Sequence, residues 1–335
     1  MLRPKRRRST SPERGARCAS LSQRGKGLCR RGMARRVDKT MSSSQEYSVP
    51  IIDGILHPSD FSAASEVAFA HALKAALIAQ SELTVMHVSP SMSAEWTDFP
   101  GVRETLTRWG LLPPGSPRSA VPALGIDVRK VIAHDHDPVK SVLAFLDRHR
   151  IDLIVLATHQ HEGRSRWLQH SVAQPIARQA GQMTLCIPHG VDGFVSRQAG
   201  SVSLQNILIP IAPIPRAQPA IAAAVRLVHR LQCPAGTFTT LFVGDPGSAP
   251  AVRCPTVPGW QWNSIVQSGD VIDAIVRTAS DMAADLIVMS TDGRHGFLDA
   301  LRGSHSERVL RRTPCPLLAI PVEAAVAPRL SDSQE

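Results

Sequence analysis

The sequence predicts two tandem α/β domains, each a doubly wound parallel sheet. Three observations predict it. Apolar runs rich in Val, Ile and Leu alternate with Ala-rich or amphipathic stretches of helical length. The chain repeats itself, so that a shift of 133 residues lays 137–188 on 270–321 without a gap. Hydrophobic residues make up 43% of the 335, yet aromatics only 4%, so the cores must be built from small aliphatic side chains, as buried parallel strands prefer.

The elements follow in order. Strands are expected near 50–57, 83–88, 126–134, 152–158 and 183–188 in the first copy, with helices near 62–79, 138–149 and 169–181. The helix at 62–79 gathers Ala64, Val67, Ala68, Ala72 and Ala75 on one face, and Ser62 stands where an N-cap belongs. A short helix is expected in "FPGVRETLTRWGLL". The second copy has the Pro/Gly-rich "GDPGSAPAVRCPTVPGW" at that point, and no helix is expected there. Across the repeat Asp137 meets Asp270, "DLIV" at 152–155 meets "DLIV" at 285–288, Gly163 meets Gly296 and Ser171 meets Ser304. Strands alternating with helices imply right-handed crossovers and parallel pairing. The expected boundaries are a basic tail at 1–46, a first domain at 47–190, a Gly/Ser-rich linker at 191–203, a second domain at 204–323 and a tail at 324–335.

The net charge of +10 belongs to the tail. Residues 1–40 hold fourteen Lys and Arg against Glu13 and Asp38, while the remainder holds 24 basic and 26 acidic residues. The tail has little apolar content and no periodicity, so it is expected to be disordered. "RRRSTS" is not followed by the apolar stretch an export signal needs. A presequence, a phosphate-neutralising nucleic-acid tail, and an upstream start before Met41 stay open as readings. No apolar run approaches the length of a membrane span. The six cysteines, Cys18, Cys29, Cys186, Cys233, Cys254 and Cys315, form no CxxC pair. Mostly buried, unpaired thiols in a reducing compartment, the cytoplasm, are expected.

In such sheets ligands bind beyond the carboxyl ends of the strands. The richest loop there is "STDGRHGFLDALRGSHSERVL", from Ser290 onward, with Gly293, Gly296 and Gly303 ahead of Ser304 and Ser306. Glycines let backbone N–H groups approach phosphate oxygens, and a helix N-terminus adds partial positive charge. The alternative is that Gly303 and Ser304 only cap a helix. No Gly-Lys-Ser/Thr follows, so the phosphate-bridging Lys of fast phosphoryl transfer is missing. No Gly-x-Ser-x-Gly elbow is present either. A binding or regulatory module, not a turnover enzyme, is expected, although slow ATP hydrolysis is compatible with it.

"ILHPSDFS" at the start of the first copy, and the glycine loop with "GSHSERVLRRTPCPLLAIP" at the end of the second, resemble the universal stress protein family in its tandem form, over roughly 47–323. The resemblance implies a Rossmann-like fold of the adenine nucleotide alpha hydrolase kind and a role in stress response. It implies ATP or a related nucleotide in the second copy. There Ser290, Gly293, Gly303 and Ser304 occupy the positions of the family's glycine pattern, with Ser290 replacing its first glycine. Ser306 would reach the phosphates, Val243 would lie against the adenine, and Pro210 to Ala212 would flank base or ribose. The family's strand-end Asp is Asp60 in the first copy and is Ala212 in the second. The first copy would contribute Asp60, Val88 and Ser171, but Gln160 and His170 would crowd the phosphates. The family also pairs domains through their last strands, here 185–188 and 317–321, which implies an internal pseudo-dimer or a homodimer.

A different class of reading rests on histidine. His57, His87, His134, His136, His159 and His161 are expected at strand ends of the first copy. The His-x-His pairs 134/136 and 159/161, on adjacent loops, could give Zn²⁺ or another transition metal its nitrogen ligands. A metal or small-ligand sensor, or a ligand-free scaffold, are the alternatives to nucleotide binding.

Overall fold

The computed structural model describes residues 52–90, 94–158, 176, 181–291 and 312–322. The tails and the stretches 91–93, 159–175, 177–180 and 292–311 lie outside the described residues. The first copy supplies β1 (Gly54–Pro58), α1 (Ala63–Ala79), β2 (Glu82–Ser89), α2 (Val102–Arg108), β3 (Asp127–His134), α3 (Pro138–Leu146), β4 (Leu153–Thr158) and β5 (Met183–Pro188). The second supplies β6 (Asn206–Ile211), α4 (Gln218–Arg230), β7 (Gly236–Val243), β8 (Trp260–Gln267), α5 (Val271–Asp281), β9 (Leu286–Thr291) and β10 (Leu317–Pro321). Of the expected helix at 169–181 only Ile176, helical and buried, and Gly181, at φ 69°, are described. The Pro/Gly-rich stretch of the second copy does hold one 3-10 turn, Pro246–Ser248, where no helix was expected; Asp245 caps it by accepting from Gly247 N–H.

All ten strands form one sheet, in the order β3-β2-β1-β4-β5-β10-β9-β6-β7-β8. Every pairing is parallel except the central one, where β10 runs antiparallel to β5 with Leu317 opposite Cys186 and Ala319 opposite Thr184. The last strands of the two copies thus join inside one chain. Both repeats fall within a single unit, Val49–Glu335.

The strands are apolar on both faces because both faces are covered. Ile55, Val85, Val155, Ile187, Ile209, Val288 and Ile320 face one continuous core shared by α1 and α4. The alternate residues face two separate cores. Leu56, Met86 and Ile154 pack with Val142 and Leu146 of α3, and Leu208, Leu241 and Ile287 pack with Ile272 and Ile275 of α5.

The expected linker is packed. Phe194, Val195 and Leu204 are buried in the shared core, and Val195 bridges Val202 in an antiparallel turn. His71 of α1 accepts from Phe194 N–H at 3.1 Å and Val195 N–H at 3.2 Å. Trp109 Nε1–H and Arg108 Nε–H both donate to Arg197 O, at 3.0 and 3.1 Å. Gly193 (φ 70°) and Gly200 (φ 63°) permit this: a Cβ on either would strike the His71 ring or the Trp109 indole. Glycine here serves close approach, which composition alone reads as looseness.

Candidate functional site

In each copy the chain steps outward through three strands, then returns to the other side of the first. The loops after β1 and β4, and after β6 and β9, therefore diverge and leave a crevice at the carboxyl ends. The register equates the copies. Ile55 lies opposite Leu153 as Ile207 lies opposite Leu286, and Ile55 lies opposite Leu83 as Ile207 lies opposite Phe238. Asp60 thus corresponds to Ala212, Pro58 to Pro210, His87 to Phe242 and Val88 to Val243.

In the first copy the crevice is furnished by its own side chains. Asp60 Oδ1 accepts from Ser62 N–H at 3.1 Å and from Ser62 Oγ–H at 2.7 Å. Ser62 Oγ in turn accepts from Ser65 N–H and caps α1. Phe61, at φ 63°, stacks on His87 with ring centroids 4.1 Å apart. Val88 is buried among the core residues beneath α3. Ser171 lies outside the described residues.

In the second copy the corresponding loop is longer and carries no carboxylate. Ala212 bridges Arg216, and Ile214 is 79% exposed at the loop tip. Pro210 is half-buried at the end of β6, and Val243 is half-buried at the end of β7, against the core under α5. Ser290 is buried at the end of β9, and its Oγ accepts from Ala220 N–H at 3.2 Å. Ala217 stands at the N-cap of α4 in αR conformation with no side-chain oxygen. Ser290 therefore satisfies an orphan N–H of the α4 first turn from across the crevice. The sequence had placed Ser290 only as a substituted glycine. Gly293, Gly303, Ser304 and Ser306 lie outside the described residues.

Among the described residues the histidines do not gather. His57, expected at a strand end, is buried inside β1 with Nδ1–H donating to Val155 O at 2.9 Å, and burial lowers its pKa to about 4. Its Nε2 has no hydrogen-bond partner. His87 donates from Nδ1 to Ser59 O at 2.7 Å, which shapes the loop after β1. His134 and His136 are exposed near the end of β3. His159 and His161 lie outside the described residues but follow β4. Strands β3 and β4, which the two His-x-His pairs follow in sequence, are three strand spacings apart, about 14 Å. Among the described residues no group of three or more His, Cys, Asp or Glu is placed to hold a metal ion.

Among the described thiols Cys186 and Cys315 are buried, and burial pushes both up to about 12; Cys233 is half-buried and Cys254 is exposed. Among the described residues no helix is long and apolar enough to cross a membrane.

The universal stress protein family model matches residues 52–188 and 260–321, more than half of the chain. A universal stress protein from Archaeoglobus fulgidus covers 81% of this chain and 98% of its own at 19% identity, with a TM-score of 0.52. A putative universal stress protein from Pseudomonas aeruginosa covers 82% of this chain and 95% of its own at 13% identity, with a TM-score of 0.53. No curated protein sequence matches. The chain belongs to the universal stress protein family, with two such segments in tandem. The unmatched stretch between the segments holds β6, α4 and β7, where the strand-end Asp has become Ala212.

Proposed function

We propose that this protein is a stress-response binding and regulatory module that takes ATP or a related nucleotide at the second copy. The observation that carries the reading is the crevice between β6 and β9: the Gly293–Ser306 stretch begins directly after β9, inside the matched segment, where phosphates would meet backbone N–H groups. Pro210, Ala212 and Val243 line the base end, which lacks a carboxylate for the ribose. Affinity there rests on the phosphates more than on the nucleoside. No Lys follows the glycines, so the nucleotide is a bound signal and not a rapidly consumed substrate.

The full chain, purified and denatured, is expected to release nucleotide near one per chain by mass spectrometry. Gly303→Val is expected to abolish that release, because a side chain there blocks backbone approach to phosphate. A chain that releases none, and whose Tm does not move on adding excess ATP, would overturn the reading.

A further inference from the structure

A cleft of about 840 Å³ opens at the outer edge of the first copy, between β3 and α2. In the sheet, β3 is separated from β1 by β2, so this cleft is distinct from the β1–β4 crevice. Three cations converge on it from separate elements: Arg103 from α2, Arg118 from a single 3-10 turn and Lys130 from β3. Arg103 Nη1–H donates to Ser116 O at 3.1 Å. The Lys130 ammonium lies 5.5 Å from the centroid of the Phe99 ring. Among the described residues neither Lys130 nor Arg118 has a carboxylate within ion-pair distance. Two carboxylates on the lining oppose them, Glu104 and Asp127; Asp127 lies 3.7 Å from Arg129, which pairs with Glu82 at 3.1 Å. Burial lowers the Lys130 pKa most; Glu104 opposes that, and Arg118 and Arg103 reinforce it. On the rim Trp96 is 60% exposed and stacks on Phe99 at 5.9 Å and 20°.

Three cations against two carboxylates leave an excess of one positive charge beside an exposed indole. We propose that this cleft binds a phosphate monoester carrying a planar ring, with the dianionic phosphate on Arg118, Lys130 and Arg103 and the ring on Trp96. Three cationic donors suit the three terminal oxygens of a phosphate better than the two of a monocarboxylate. Stacking on an exposed indole is a sequence-tolerant way to hold a ring.

Calorimetric titration of the full chain with AMP and with inorganic phosphate tests this. AMP is expected to bind more tightly than phosphate, and more weakly as salt is raised. Arg118→Gln, at an exposed position, should weaken AMP about fivefold or more. Trp96→Ala should bring AMP down to the affinity of phosphate. Glu104→Gln should tighten AMP roughly threefold, a gain that misfolding cannot produce. Absence of AMP binding at millimolar concentration, or one AMP affinity shared by the wild type and all three variants, would overturn the proposal.

Discussion

His71 sits buried in the middle of α1, its Nδ1–H donating to Val67 O at 2.8 Å and its Nε2 accepting two N–H groups from the 194–195 strap. Burial lowers its pKa to about 4. A protonated ring could no longer accept at Nε2, so protonation opposes the clamp. The unfolded chain, with His near 6.5, binds more protons than the folded chain between that value and 4. Stability from His71 is therefore fully present above about pH 6.5 and lost as pH falls toward 4, as it is for His57, on the order of 3 kcal/mol each. Urea unfolding at pH 7.5, 6, 5 and 4 should show this slope, and His71→Gln should reduce it. An unchanged slope in that variant would remove His71 from the account. Other single residues explain why the repeat is visible at all. Asp152 Oδ2 accepts from Asp53 and Gly54 N–H, and Asp285 Oδ2 accepts from Gln205 and Asn206 N–H. Asp137 and Asp270 cap α3 and α5. These two Asp identities across the 133-residue shift, which could be taken for a site, hold strand starts and helix N-termini.

At the scale of elements, α1 and α4 solve one problem differently. Ser62 caps α1 locally, whereas α4 has Ala217 at its cap and borrows Ser290 from β9. The residue equivalent to Ser290 in the first copy is Ala157, which α1 can tolerate because it carries its own cap. Ser290→Ala should leave the buried Ala220 N–H without a partner and cost about 1–2 kcal/mol in urea unfolding. A loss within error would show that the bond contributes nothing. The helix at 63–79 was legible from its alanines and Ser62, but not the burial of His71, because the strap that covers it is read from composition as linker. The cleft of Arg103, Arg118 and Lys130 was equally hidden: the three cations are ordinary surface residues until α2, the 3-10 turn and β3 converge.

At the scale of the whole molecule, the antiparallel β5–β10 junction occupies inside one chain the edges that would otherwise pair between chains. The free edges are β3 and β8. β3 carries Asp127, Arg129 and Lys130, a charged edge that resists pairing. Light scattering at micromolar concentration should give the mass of one chain. A stable dimer would show that β8, the uncharged edge "WQWNSIVQ", or another surface holds a second copy.

The sequence by itself determined the strand and helix order, the two copies and the family. Periodicity and repetition are local or one-dimensional, and buried parallel strands need little more than continuous aliphatic runs. Only the tertiary structure decided that the copies share one sheet, that the Gly/Ser stretch is a strap held by His71 and Trp109, and that Ser290 serves a helix seventy residues away. These are contacts between distant segments, set by shape and hydrogen-bond geometry, and no residue in them announces its partner.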